Sequence, residues 1–345
     1  LTTVKDIAQK TGTSSSTVSR VLNNDPSLSL TKQKRLLIKK VADELDYRSP
    51  RQRKQESQKE DHAIAARTHF KLASDTTLNL VVVHSLSPTE ELNDPYFTSI
   101  RIGIENRCHH FNISLRNTFS SHLKANKYFL QHAQAVICVG HFSPQDIDNI
   151  YQQNRQLIFI DSNPLAQKSD SVLFDRKAAA TELVSNIINS GAKRPAFIGN
   201  DEDRLHVFRN LTQENNIYHP ELCKVSQLFC IESGYNAMSE LLDQNQWPDV
   251  VFAATDIIAI GVYRAIQERE IEIPKEIKVI SMNDIPTAQH LNPSLTTMRL
   301  FATEMGESAV DLFLELVAGR QYKKSVLLGY EMIWRESFPI ESVLH

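Results

Sequence analysis

The chain is poor in the residues that announce most chemistries. Its four cysteines, Cys108, Cys138, Cys223 and Cys230, are scattered along 345 residues. They lack the close pairing that a zinc site or a redox motif needs. Cys138 lies inside the apolar run 135–139, where a thiol serves as a small hydrophobe. A reduced, cytoplasmic protein is therefore the expectation. Only ten glycines are present, and none builds a Walker loop or a dinucleotide-binding turn. No apolar run is long enough to span a bilayer, and the opening residues lack the charged-then-apolar order of an export signal. A defined acid/base pair, a nucleophile elbow and a metal-ligand spacing are all missing, so no enzyme, cofactor or metal is expected. His141, His206 and His290 stand alone and do not change that.

What is there begins with length and charge. The chain exceeds the usual single-core size, so two or more domains are expected. The formal net charge is only −3, yet residues 1–60 hold 13 lysines and arginines against 7 acidic residues, while the rest hold 25 against 34. A basic head precedes an acidic body, the polarity that a phosphate-binding module joined to a small-molecule sensor would need.

Residues 3–23 of that head read as two short helices joined at Gly12, a sharp turn that only glycine takes without steric cost. Ile7 and Ala8 on the first helix and Val18, Val21 and Leu22 on the second can close a small apolar core. Ser14 is a good N-cap. Ser15, Ser16 and Arg20 then project from a helix N-terminus and its exposed face. Hydroxyls and a guanidinium so placed suit base edges and phosphates in a DNA major groove. An amphipathic helical hairpin with a merely polar face is the blander alternative. A third helix is capped by Thr31. Its expected buried stripe is Leu37, Ile38, Val41 and Leu45, with Lys32, Lys34, Arg35, Lys39 and Lys40 on the exposed side. Tyr47 closes a DNA-binding head over residues 1–48. Residues 49–77 are polar and charged at first, a linker in composition, with a more helix-like stretch at 63–72.

From residue 78 to 345 short apolar runs alternate with amphipathic helices. Strands are expected at 80–83, 114–118, 135–139, 157–160 and 172–174, then at 195–198, 250–253, 277–280 and 296–298. Helices are expected at 95–111, 144–153, 176–189, 234–244, 257–268 and 301–318. Continuous apolar strands alternating with helices imply parallel sheets covered on both faces. Two such sets imply two doubly wound subdomains with a ligand cleft at the carboxyl ends of the strands. Polar residues just after strands are the candidates for that cleft: Asn93, Asp94 and Tyr96, then Asp161, Asp201, Arg204, Thr255, Asp256, Asn283 and Asp284. Carboxylates, amides and an arginine around an aromatic suit the hydroxyls of a sugar. Asp256 and Asp284 are read instead as helix caps.

Several strings then carry a resemblance over nearly the whole length. They are Val-Lys-Asp-Ile-Ala and Ser-Ser-Thr-Val-Ser-Arg-Val-Leu-Asn within 4–23, Ala-Thr-Asp-Ile-Ile-Ala-Ile-Gly-Val-Tyr-Arg-Ala-Ile at 254–266, and Ile-Pro-Lys-Glu-Ile-Lys-Val-Ile-Ser-Met-Asn-Asp-Ile-Pro at 273–286. Pro-Ser-Leu-Thr-Thr-Met-Arg at 293–299 completes the set. With these the chain resembles the lactose-repressor/galactose-repressor family of transcriptional regulators. Asn93–Tyr96 and Asn283–Ala288 carry a narrower likeness to the branch that represses evolved β-galactosidase operons. The resemblance implies a helix-turn-helix head followed by a two-lobed, periplasmic-binding-protein-like effector domain whose two subdomains are interleaved. It implies a homodimer bound to a pseudo-palindromic DNA operator and a sugar effector, a galactoside by the narrower likeness. Ser15, Ser16 and Arg20 match the family's base-reading positions; Ser14, Thr17, Ser19 and Asn23 match positions on the DNA backbone. Asp161, Arg204, Thr255 and Asn283 match effector-pocket positions, and Phe229 matches an aromatic that stacks on the sugar face. Leu300 stands where the lactose repressor has a pocket glutamine.

The hinge departs from the family. Its usual Ala-Arg-x-Leu is replaced by two competing registers, Gln52-Arg53-Lys54-Gln55 and Ala66-Arg67-Thr68-His69, neither with the leucine that wedges into the minor groove. No heptad tail follows, so a dimer is expected rather than a tetramer. The rival readings are a sugar-binding transport component of the same two-lobed fold, an enzyme acting on sugars, and a regulator answering to a non-sugar effector.

Overall fold

Gly12 ends the first helix in the left-handed region, at φ 60 and ψ 42, and donates its N–H to the Ala8 carbonyl. A Cβ there would meet nothing within 4 Å. The backbone angle, not lack of space, is what calls for glycine. The computed structural model describes residues 3–22, 25, 28, 30–45, 47, 77–226, 228–245 and 247–343. Asn23, residues 49–76 of the expected linker and both hinge registers lie outside the described residues. The chain divides into two units, Leu1–Ser74 and Asp75–His345.

The first unit holds α1 (Val4–Thr11), α2 (Ser15–Leu22) and α3 (Lys32–Glu44). Ile7, Ala8, Val18, Val21, Ile38, Val41 and Ala42 form its core, flanked by Val4, Leu22, Leu28, Leu30, Leu45 and Tyr47. Two expectations for α3 are corrected. Leu37 is 42% exposed, because the buried stripe runs through 38, 41 and 42, with the half-buried Leu45 beside it, and leaves position 37 a step off the face. Arg35 is not a free surface cation either. Half-buried, it donates to the carbonyls of Leu28 and Asp25 and ties the α2–α3 connection to the third helix.

The second unit contains two six-stranded sheets of the same order. In the first, β1 (Asn79–His84) lies between β2 (Ser114–Phe119) and β3 (Ala135–Val139), followed outward by β4 (Leu157–Ile160), β5 (Asp170–Phe174) and β11 (Ser325–Leu328). All of these pairs are parallel, with Leu80 opposite both Leu115 and Ala135. In the second, β6 (Pro195–Gly199) lies between β7 (Cys223–Val225) and β8 (Val250–Ala253), followed by β9 (Lys278–Asn283), β10 (Thr296–Leu300) and β12 (Tyr330–Ile333). The expectation of wholly parallel sheets is corrected at one edge, where β12 runs antiparallel to β10. Every residue of β3, β4 and β8 is buried, as strands covered on both faces must be.

Helices α4 (Pro88–Leu92), α5 (Pro95–His110), α6 (Lys127–His132) and α7 (Pro144–Gln153) belong to the first lobe, and α8 (Arg176–Asn189), α9 (Asp203–Glu214), α10 (Ile231–Asp243) and α11 (Asp256–Gln267) to the second. The last, α12 (Ala302–Val317), returns to pack on α5, β4 and β5 of the first lobe. The chain therefore passes between lobes after β5, after β10 and at Gly329 between β11 and β12. Each lobe closes one helix pair at its glycines. A Cβ on Gly103 or Gly306 would fall 2.0 or 2.2 Å from a carbonyl oxygen across the α5–α12 contact. One on Gly234 or Gly261 would fall 2.1 or 1.9 Å from a carbonyl across the α10–α11 contact.

Candidate functional site

The turns that leave the carboxyl ends of both sheets converge on one cleft of about 240 Å³. From the first lobe come Ser85 and Leu86 after β1, Asp94, Tyr96 and Phe97 at the start of α5, His141 after β3, Asp161 after β4 and Phe174 ending β5. From the second come Arg176 opening α8, Glu202 and Arg204 after β6, Phe229 before α10, Thr255 after β8, Asn283 ending β9 and Leu300 ending β10. All six candidates singled out for the effector (Asp94, Asp161, Arg204, Phe229, Thr255 and Asn283) line this cleft, and so does Leu300.

The backbone aims several of these groups. Asp161 and Asn283 sit at φ 69 and 120, conformations that a strand cannot continue through and that turn the side chain toward the opening. Asp94 caps α5, its carboxylate accepting the Tyr96 N–H at 3.1 Å. Thr255 caps α11 and is 6% exposed. Arg204 is also buried, at 6%. It donates through Nη1 to the Ala254 carbonyl at 2.6 Å and through Nε to Glu202. Its guanidinium carbon lies 5.2 Å from the centre of the Phe229 ring, within reach of a cation–π attraction.

Charge links the lobes. Tyr96 donates its hydroxyl to Asp161 Oδ1 at 3.1 Å. Arg176 Nη2 donates to the same oxygen at 3.2 Å, and its Nη1 lies 3.6 Å from Glu202 Oε2. The His141 Nδ1 stands 3.8 Å from Asp161 Oδ2. Burial pushes the Asp94 carboxyl up to about 6, aided by the nearby Asp161 and opposed by the Tyr96 N–H and Arg204. Burial likewise lifts the Tyr96 phenol, with Asp161 adding to it. The aromatic and aliphatic members supply apolar walls between these polar groups. Such a mixture fits a small polar molecule with apolar faces.

Other strand-end candidates take different places. Asp201 is exposed and holds His206 at 3.0 Å, and Asn93 is exposed. The expectation that Asp256 caps a helix is corrected: Thr255 takes that position. Asp256 is fully buried, outside the cleft lining, and accepts from Ser281, from Thr297 at 2.6 Å and from the Ile285 N–H at 2.8 Å. Burial nevertheless raises its carboxyl to about 7. Asp284 does not cap a helix either, being held by Arg299 at 2.8 Å and Arg335 at 2.7 Å. Phe97, Arg176 and Glu202 were not legible as cleft residues. They stand at a helix start or in a polar loop, and their only signal was closeness to a strand end.

On the head, Ser14 accepts the Thr17 N–H at 3.1 Å and bonds the hydroxyls of Ser16 and Thr17 at 2.8 Å each. The expected cap is present. Ser14, Ser15, Ser16 and Arg20 are exposed, while Thr17 and Ser19 are half-buried. The Arg20 Nε lies 2.7 Å from Asp25 Oδ2, a contact that orients the side chain at the surface. Among the described residues no group of histidines, cysteines and carboxylates could hold a metal ion, and no helix is long and apolar enough to cross a membrane.

A three-helix head and a two-lobed body with a cleft at its strand ends are the parts of a DNA-binding regulator that carries a small-molecule site. Comparison with known proteins gives the family. Residues 3–49 match the description "Bacterial regulatory proteins, lacI family", and residues 184–338 match a periplasmic binding protein-like domain. The HTH-type transcriptional repressor MelR of Bacillus subtilis (strain 168) is 30% identical over 348 residues, 97% of this chain and 96% of that protein. The chain belongs to the lacI family of bacterial regulatory proteins. A lactose operon repressor from Rhizobium radiobacter is 51% identical over 106 residues, 31% of this chain and 94% of that sequence. The fold matches that of the Lac repressor dimer bound to operator and the anti-inducer ONPF at a TM-score of 0.67 and 22% identity, covering 98% of this chain and 99% of that one.

Proposed function

We propose that this regulator represses a sugar-utilisation operon and that a galactoside bound in the cleft changes its hold on the operator. One observation carries the reading: polar strand-end groups of both lobes face the Arg204–Phe229 pair across one opening. Asp94, Asp161, Arg204, Thr255 and Asn283 would bond sugar hydroxyls while Phe229 covers the apolar face of the ring. A wrong ligand would leave buried polar groups unpaired at about 1–3 kcal/mol each. The name of the Rhizobium radiobacter relative supports a galactoside. We assign residues 1–48 to the head, 49–77 to the linker and 78–345 to the effector and dimerisation domain.

Two such heads in a homodimer would read a pseudo-palindromic site. Ser15, Ser16 and Arg20 would face base edges, with Ser14, Thr17, Ser19 and Asn23 along the backbone. Ligand binding shifts the lobes between two arrangements only by the difference in its affinity for them. The coupling is typically about 1–3 kcal/mol and acts equally in both directions. The test is a titration of duplex DNA from upstream of the protein's own gene, with and without lactose or galactose. Weaker DNA binding in the presence of sugar is expected, together with weaker sugar binding in the presence of DNA. Sugar binding that leaves DNA affinity unchanged, or no sugar binding at all, refutes the proposal. Incubation with chromogenic galactosides is expected to give no turnover.

A further inference from the structure

The charged groups lining the cleft are Asp94, Asp161, Glu202, Arg176, Arg204 and His141, with no lysine among the described lining residues. Three carboxylates thus face two guanidiniums. Both guanidiniums are partly engaged, Arg176 Nε alone being buried without a partner, and Glu202 engages both. Its Oε2 lies 3.6 Å from Arg176 Nη1, and its Oε1 accepts from Arg204 Nε. Arg176 is held on its other side by Asp161 at 3.2 Å. The Arg204 Nη1 is taken by the Ala254 carbonyl.

We propose that Glu202 makes the cleft selective for uncharged ligands by occupying the two arginines that an anionic ligand, a sugar phosphate above all, would need. The inference rests on the reading of this cleft as a sugar site and specifies the class of sugar. A phosphate is bound strongly when guanidiniums offer it paired N–H groups. Here it would have to compete with Glu202 for both guanidiniums and sit among three carboxylates, with like charges opposing it in a partly buried space. A neutral hydroxyl meets no such barrier. It both donates and accepts, so it can bridge a carboxylate and an arginine N–H without disturbing either charge. Glu202 stands in the loop before α9, two residues from Arg204, where a polar change does not disturb the sheet core.

The test compares the full chain with Glu202→Gln, Glu202→Ala and Asp203→Asn by calorimetric titration with galactose, galactose 6-phosphate and inorganic phosphate. Asp203 is the control: a half-buried carboxylate next in sequence that pairs with Lys177 at 3.6 Å and lies outside the cleft lining. The natural chain and Asp203→Asn are expected to ignore both phosphates. The Glu202 variants are expected to bind them about tenfold more tightly or better, the factor that about 1.4 kcal/mol represents. Galactose 6-phosphate binding to the natural chain as tightly as to the variants would overturn the inference. So would equal gains in Asp203→Asn, or no gain in a folded Glu202 variant. If no neutral sugar binds the natural chain but the Glu202 variants gain phosphate, the role of Glu202 stands and the galactoside reading falls.

Discussion

Two carboxyls with raised proton affinity, the half-buried Asp94 and the buried Asp256, show how environment divides one residue type into two roles. Asp94 lines the cleft and caps a helix; Asp256 lies outside that lining and ties three donors together. Both native values, about 6 and about 7, lie above the ordinary 3.8. The folded chain therefore keeps protons that the unfolded chain has already shed between pH 4 and 7. Stability contributed by these groups is full below that window and is lost as pH rises through it. Asparagine caps a helix as well as aspartate does, so Asp94→Asn removes the titration and keeps the cap. Its melting temperature should decline less from pH 4 to 6 than that of the natural chain; matching slopes would clear Asp94 of the effect. Asp256→Ala leaves the Ile285 N–H and two hydroxyls without their acceptor, a loss of about 1–3 kcal/mol. Urea denaturation should read it as a lower midpoint at unchanged m, and an unmoved midpoint would count against the network. Sequence could not separate Asp256 from Thr255, because adjacent residues of good capping type offer two registers, and only the buried hydroxyls of Ser281 and Thr297 decide between them.

At the scale of elements, periodicity found what burial on both faces makes obvious. Strands such as 135–139 and 157–160 are continuously apolar and buried throughout, and their places were legible. Helix α9 was not. It buries Leu205, Phe208 and Thr212, but Arg204 lies on the same buried side, and charged neighbours dilute the apolar stripe. Strands β11 and β12 were also missed, since their residues are half-buried or exposed and carry little hydrophobic signal. The candidate site was legible where a polar residue ends an apolar strand, as at Asp161 and Asn283. Glu202 and Arg176 needed the spatial convergence of two lobes. The glycine crossings make a sharper prediction. Gly261→Ala places a Cβ 1.9 Å from the Ile231 carbonyl, so α10 and α11 must move apart, at a cost of about 1–3 kcal/mol typical of overpacking. A thermal melt of that variant should fall by several degrees relative to the natural chain. Gly12→Ala meets no clash but is forced into a left-handed conformation, and should cost about 1 kcal/mol through strain alone.

For the molecule as a whole, charge is divided between head and body. Binding to duplex DNA through the basic head should weaken steeply with salt, each phosphate contact adding roughly 0.9 to the logarithmic slope. Arg20→Ala should cost about 1–3 kcal/mol at the operator if it reads a guanine. It should also narrow the gap between operator and unrelated DNA. A variant that loses affinity equally for both sequences would place Arg20 on phosphate instead.

The three passages of the chain between lobes bear on how the molecule is made. The first lobe begins at residue 79 yet lacks a covering helix and an edge strand until residues 302–328 have been synthesised. It must wait, unfinished, while nearly all of its neighbour emerges from the ribosome. A stop codon just past position 300 would therefore cripple the half of the body translated earliest.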